Sequence, residues 1–354
     1  MLLRPSSAKQ WVNCPGYASL ARFNGPSQDT DPARQGTCAA WVAEMVFTGQ
    51  VATCADLLGA QHENGWIVEP DMVRHIQAYV DLLRSFGGDV IAEQRVSLID
   101  NLIEGTPDAC VINGSTLRVI DLKYGFEIVE PTTPQVLIYA AAIAKNMPHI
   151  QTIILGIYQP RAAHPSGIFR TITLDRAEFD RRVQRIIEAA YATQDPNALC
   201  KAGDWCRRCD SAARCSAVAH EVYRAVSTMQ VSEQRDMTPT EIAEELAFLS
   251  MAEELMKGRR DAIIAEAEAR MNRGENIPGW HWESGYGHRK WVVGADVIRM
   301  LTGIDPTNGK MVTPAELERM GADPDLVGKL SKAPRLKSKL KPIPQGYLAS
   351  KFGG

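Results

Sequence analysis

Pro107-Asp108 and Asp121-Leu122-Lys123 are the residues of this chain whose types and spacing best suit chemistry. The run from Val119 to Lys123 reads as a strand, and side chains alternate faces along a strand, so Asp121 and Lys123 point one way and Leu122 faces the core. Asp108 opens the preceding strand, residues 109–112, and Asn113-Gly114-Ser115 returns the chain as a hairpin turn. Two antiparallel neighbours thereby present Asp108 and Asp121 to one divalent ion. Taken alone, Asp-x-Lys equally describes a surface hairpin with a salt bridge.

Such a pair suits phosphodiester hydrolysis, which needs a nucleophilic water, neutralisation of an anionic transition state and stabilisation of the leaving oxygen. Mg2+ or Mn2+ bound by hard oxygens supplies all three. Lys123 would orient the water, or deprotonate it if its neighbours lower its pKa. Gln135 and Tyr139 lie four residues apart and share one helix face.

With these residues the chain resembles the PD-(D/E)XK nuclease superfamily, in its RecB-like and lambda-exonuclease-like branch. Pro107-Asp108 and Asp121-Leu122-Lys123 match the motif that names the superfamily, and Gln135-xxx-Tyr139 matches that of the branch. The resemblance implies an α/β fold with a restriction-endonuclease-like core, a central mixed sheet flanked by helices. It assigns metal binding to Asp108 and Asp121, counts Leu122 between them among the metal positions, brings Gln135 into the active site and sets Tyr139 on the DNA side of the cleft. Arg161, in the Gln159-Pro160-Arg161 end of a later strand, becomes a further DNA contact. Residues 33–47 read as a helix carrying Glu44 as its most suggestive acid. Relatives often place Gly-xxx-His here, whereas this chain has Gly36 and Ala40, and Glu44 one turn on would complete the ligands. Glu93 and Glu104 are weaker acidic candidates.

Cysteines give the second signal. Eight are present, and Cys200, Cys206, Cys209 and Cys215 cluster. No signal peptide or transmembrane run is apparent, so a cytoplasmic location is expected and metal ligation is favoured over disulfides. Cys206-x2-Cys209-x5-Cys215 resembles the iron-sulfur signature of cluster-bearing RecB-like nucleases, whose fourth cysteine lies near the N-terminus. Cys14-Pro15 supplies that context, implying a 4Fe-4S cluster on Cys14, Cys206, Cys209 and Cys215. Structural zinc on Cys200, Cys206, Cys209 and Cys215 is the alternative. Cys38, Cys54 and Cys110 read as buried small hydrophobes.

The supporting elements follow from periodicity. Residues 71–85 form an amphipathic helix, 90–98 and those from 102 onward are strands entering the hairpin, and 152–158 is an apolar buried strand. An outer strand at 169–174 precedes a helix at 175–193 that buries Phe179, Val183, Ile186, Ile187 and Tyr191. Thr238-Pro239-Thr240-Glu241 has the form of a capping box opening a long helix with apolar positions at Ile242, Leu246, Leu249, Met256 and Ile263. A hairpin between Trp280 and Trp291 and helices near Val297 and Ala315 complete the pattern.

A chain of 354 residues with 45% hydrophobic content can bury a sizeable core. Three segments are expected: a nuclease domain with the cysteine knuckle at 1–220, a helical and small mixed region at 221–328, and a basic, flexible tail at 329–354. Seven lysines and arginines with no acid from Lys329 onward leave 32 basic and 42 acidic residues before it, a net charge of -10 within a total of -3. An acidic body argues against sequence-specific duplex binding and favours a narrow cleft where metals recruit the backbone. The expected function is a phage- or prophage-type DNA exonuclease in recombination, repair or phage DNA processing, acting on single strands or duplex ends. A recombination or replication protein partner and a homo-oligomer are compatible with it, and no membrane is involved. A catalytically weak DNA-binding or assembly factor on the same fold, or a structure-selective endonuclease, would share these residues.

Overall fold

In the computed structural model, which describes residues 2–22, 30–229, 238–283, 288–307, 311–335 and 338–342, the chain divides into two compact units, Met1–Ala262 and Ile263–Gly354. The division falls inside the long helix that begins at Pro239, well past residue 220, because the first part of that helix packs on the cysteine segment.

Unit one contains α1 (Ala8–Asn13), α2 (Tyr17–Ala21), α3 (Asp31–Phe47), α4 (Pro70–Ser85), β1 (Asp89–Ala92), β2 (Val96–Ile99), β3 (Ile103–Gly105), β4 (Ala109–Asn113), β5 (Thr116–Leu122), α5 (Pro134–Ala144), β6 (Thr152–Tyr158), β7 (Phe169–Asp175), α6 (Arg176–Ala192), α7 (Ser216–Met229) and most of α8 (Pro239–Asn272). The central sheet runs β1-β4-β5-β6-β7, with β5 and β6 parallel and the other pairs antiparallel. Helix α5 makes the crossover that a parallel pair requires. One sheet face, bearing Leu117, Val119, Ile153 and Leu155, is covered by α1, α5 and α6, and the other, bearing Val111, Ile120 and Leu122, by α3 and α4. It is a mixed α/β architecture with a central mixed sheet flanked by helices.

Local chemistry explains the element boundaries. Thr30 caps α3 by accepting from Ala33 N, Asp175 caps α6 by accepting from Glu178 N at 2.8 Å, and Pro70 and Pro134 stand in the first turns of α4 and α5. Asn113 pairs with Thr116 across a two-residue loop in which Gly114 takes φ of 57°. Ile76, Leu83 and Ile120 are fully buried, each stabilising the fold by about 1.5–3 kcal/mol relative to exposure.

Several expectations are corrected. Instead of one strand over 90–98, Glu93 adopts φ of 52° and breaks the run, leaving β1 in the central sheet and β2 paired with β3. Tyr191 is exposed, Ala190 taking the buried position in α6. Ile242, Leu246, Leu249 and Ile263 are exposed on α8, whose buried positions are Ala252, Leu255 and Gly258. The capping box forms as expected, Thr238 N donating to Glu241 Oε2 and Glu241 N to Thr238 Oγ1.

In unit two, α9 (Ala295–Thr302), α10 (Pro314–Arg319) and α11 (Pro324–Leu330) gather around Ile298, Leu317 and Val327. Among the described residues the tryptophan segments do not pair with each other. Strand β8 (Trp280–Glu283) pairs with β11 (Lys339–Pro342), and β9 (Lys290–Trp291) with β10 (Ser331–Lys332). The start of the basic tail is therefore strand-paired rather than loose, and its residues 343–354 lie outside the described residues. Among the described residues no helix is long and apolar enough to cross a membrane.

Candidate active site and cysteine centre

Antiparallel pairing of β4 with β5 sets Asp108, one residue before β4, beside the end of β5, where its Oδ2 accepts from Leu122 N at 2.6 Å. Asp121 is buried, and Lys123 Nζ lies 2.7 Å from its Oδ2 as an ion pair. From α5, Gln135 Oε1 accepts from Lys123 Nζ at 3.2 Å. Tyr139, one turn on, is buried, and Gly105 lets β3 approach it, since a Cβ there would stand 3.0 Å from its Cε1. Asp108, Asp121, Lys123, Gln135 and Tyr139 are thus assembled from two strands and one helix. Leu122 is buried and has only its main chain to offer.

Electrostatics make this a strained meeting of like charges. Burial, reinforced by Asp121, pushes the Asp108 carboxyl far above the usual carboxylate range. Burial alone would lower Lys123, but Asp121 and Asp108 outweigh it and hold the ammonium above its ordinary value. In this carboxylate environment, without a cation, the ammonium form of Lys123 is favoured, which suits orienting a water.

Glu44 is reached through Glu93. Both line a cleft of about 360 Å3 with Thr37, Ala40, Trp41 and His62. Burial and then Glu44 raise Glu93 to about 7, and after burial and Asp121 the Glu93 carboxyl adds to the raising of Asp108. Carboxyl groups thus interact in series from Glu44 through Glu93 to Asp108. Glu104 belongs elsewhere, paired with Arg95. Arg161 stacks over Tyr124 and Phe126 and hydrogen-bonds Gln35. Sequence reasoning missed His62, whose Nδ1 accepts from Asn64 N at 3.2 Å, and Phe126, neither of which carries a motif.

The cysteine centre joins the N-terminus to the segment after α6. Gly16 N donates to Leu199 O at 3.2 Å, and Lys201 N to Cys14 Sγ at 3.3 Å. The Cys200 thiol contacts those of Cys215 and Cys14 by hydrogen bonds, and burial, followed by these neighbours, pushes it up to about 12. Burial likewise raises Cys206 to about 11 and Cys209 to about 12, with Cys14 and Cys215 close enough to add to both. Five thiols converge, Cys200 among them, whereas the two ligand sets read from sequence used four each. Among the described residues no three His, Cys, Asp or Glu side chains stand in a ready metal-binding geometry, so ligation here would require the side chains to turn. Cys38, Cys54 and Cys110 are fully buried, as small hydrophobes are.

Helix α8 braces this centre. Arg259 Nη1 donates to Ala212 O at 3.0 Å, Arg207 pairs with Glu254 at 2.8 Å, and a Cβ on Gly258 would stand 2.9 Å from Arg207 Cα. At Gly16 the approach is closer still, with a Cβ 2.6 Å from Cys200 N and 2.7 Å from its Sγ. Gly16→Ala is accordingly expected to part the two chain ends and lower stability by about 1–3 kcal/mol. Thermal melting checks it, and an unchanged midpoint would show that the contact yields freely.

Fold and site together define a mixed α/β protein with a buried Asp-Asp-Lys cluster, an acidic cleft lined by Glu44 and Glu93, and a separate thiol centre. The family model described as "Protein of unknown function (DUF2800)" matches residues 1–342, and the chain belongs to that family. Among solved structures it is similar to the crystal structure of a protein from Eubacterium rectale named "Putative exonuclease", at 10% identity and a TM-score of 0.34, over 55% of this chain and 82% of that one.

Proposed function

We propose that this protein is a divalent-cation-dependent deoxyribonuclease of the PD-(D/E)XK kind, acting as an exonuclease on DNA. The observation that carries the reading is the convergence of Asp108, Asp121, Lys123 and Gln135 on one point, with two crowded carboxyls and a single ammonium between them. Two carboxylates crowded in this way suit a divalent cation, whose charge would offset the burial and the Asp121 repulsion that raise Asp108. Asp108 and Asp121 would hold Mg2+ or Mn2+, with the Leu122 main chain beside them and Glu44 joined to the same series of carboxyls through Glu93. When bound, the cation supplies Lewis-acid stabilisation of the phosphoryl oxygens and acidifies water. Lys123 holds the attacking water by donating from its ammonium, and Gln135 fixes the lysine by accepting from Nζ. Tyr139, one helical turn from Gln135, would lie on the DNA side of the site.

Five thiols from the N-terminal helices and the segment after α6 converge, and a metal bound after their side chains turn would displace the protons that burial holds on them. We read it as structural: a 4Fe-4S cluster on Cys14, Cys206, Cys209 and Cys215, or zinc on a set that includes Cys200.

End-labelled linear and closed circular DNA, incubated with Mg2+ or Mn2+, test the enzyme reading. Wild type is expected to degrade linear DNA and spare closed circles, and Lys123→Ala to lose about 10²–10⁴-fold in rate while melting as a folded protein. Absence of cleavage by folded wild type with either metal would overturn it.

A further inference from the structure

Three residues beyond Lys123, the chain holds a large apolar ring in water. Phe126 is 68% exposed, in the segment between β5 and α5. An exposed loop phenylalanine ordinarily turns inward, since burial is worth about 1.5–3 kcal/mol. Here the backbone on both sides is pinned. Gln159, fully buried at the end of β6, donates from Nε2 to Gly125 O at 3.0 Å and to Glu127 O at 2.6 Å. Its Oε1 accepts from Val129 N at 3.2 Å and from the buried Arg170 at 2.6 Å. Glu127 is also paired with Arg208 of the cysteine segment.

The ring itself is backed by a cation. The Arg161 guanidinium lies 4.1 Å from the Phe126 centroid and 4.9 Å from that of Tyr124, and donates to Tyr124 O at 3.2 Å and to Gln35. A guanidinium seated on one face fixes the ring plane and leaves the other face to solvent. Such a rigid π-face, with charge behind it and a phosphodiester site along the chain, is complementary to an unpaired nucleobase, whose phosphates Arg161 also attracts. A base inside a duplex has both faces covered and cannot use it.

We propose that Phe126, held by Gln159 and Arg161, is the stacking platform for an unpaired nucleobase beside the Asp108–Asp121–Lys123 site, so that the protein engages single-stranded or frayed ends. The inference rests on the nuclease reading for its location, and its test is a binding measurement that stands apart from cleavage. The full chain, with Ca2+ in place of Mg2+, is titrated into a single-stranded oligonucleotide carrying a terminal 2-aminopurine, and separately into a blunt duplex. Phe126→Ala and Phe126→Leu are expected to weaken single-strand binding roughly ten-fold or more and to abolish the 2-aminopurine response, whereas Phe126→Trp retains both and duplex binding stays unchanged. Single-strand binding by Phe126→Ala equal to wild type, or by Phe126→Leu equal to Phe126→Trp, would overturn the platform. An intact stacking response in a wild type that never cleaves would sink the nuclease reading and leave the platform standing. Cleavage by wild type that Phe126→Ala reproduces on single strands would do the reverse.

Discussion

Asp108→Asn is expected to abolish DNA cleavage, by about 10³-fold or more, while making the metal-free protein more stable. The two effects have one cause. Asp108 and Asp121 are carboxylates forced together away from water, and burial followed by Asp121 raises the Asp108 carboxyl. A group whose pKa is higher in the folded state than in the unfolded chain binds its proton on folding. Folding at neutral pH therefore carries the cost of taking up a proton that the unfolded chain has released, and stability falls as pH rises from the ordinary carboxylate range to about 8. Asparagine removes that proton uptake and keeps an oxygen able to accept from Leu122 N, which Asp108 Oδ2 does at 2.6 Å. A gain of about 1–2 kcal/mol, or a few degrees in melting temperature, should appear in EDTA. Mg2+ should then raise the melting temperature of wild type and leave the variant unmoved. Loss of activity together with loss of metal-free stability would instead make Asp108 a structural residue.

What was legible in the sequence follows from the range of the interactions concerned. Asp121 and Lys123 share a strand face because strand period is two, and Gln135 and Tyr139 share a helix face because helix period is near four. These local rules needed only a hairpin turn at Gly114 and a crossover helix to bring the residues together, and the structure supplies both. The same rules were blind wherever backbone conformation or partner choice decided. Glu93 breaks its strand through a positive φ that its side chain does not announce. Exposed Ile242 and Leu246 and buried Ala252, Leu255 and Gly258 show α8 packing through a short stretch in which small residues allow the close approach to Arg207, whereas hydrophobic counting selected large residues along its whole length. Cys200 joins Cys14 through contacts spanning nearly the whole first unit, and Gln159 meets Gly125 and Glu127 from a different strand end. Motif spacing contains neither pairing.

That long-range convergence underlies the second large effect, at Cys206. A thiolate-bound metal would tie the segment after α6 to the N-terminal helices, and the Glu127–Arg208 pair extends the tie to the loop behind Lys123. Cys206→Ser should therefore lose the bound metal and lower the melting temperature by about 10 °C or more, equivalent to roughly 3 kcal/mol or more for a unit of this size. Cys38→Ser serves as the control: Cys38 is equally buried but lies in the other core cluster, so its replacement is expected to cost about 1–3 kcal/mol and no metal. Elemental analysis and visible absorption of anaerobically purified protein then separate the two candidate centres. With iron on Cys14, Cys206, Cys209 and Cys215, Cys14→Ser bleaches the protein and Cys200→Ser keeps its colour; with zinc on Cys200, Cys206, Cys209 and Cys215, Cys200→Ser loses the metal and Cys14→Ser retains it. A full chain purified free of both metals, melting at the same temperature as Cys206→Ser, would reduce the five thiols to a packed apolar cluster. Burial alone would then account for their raised pKa values.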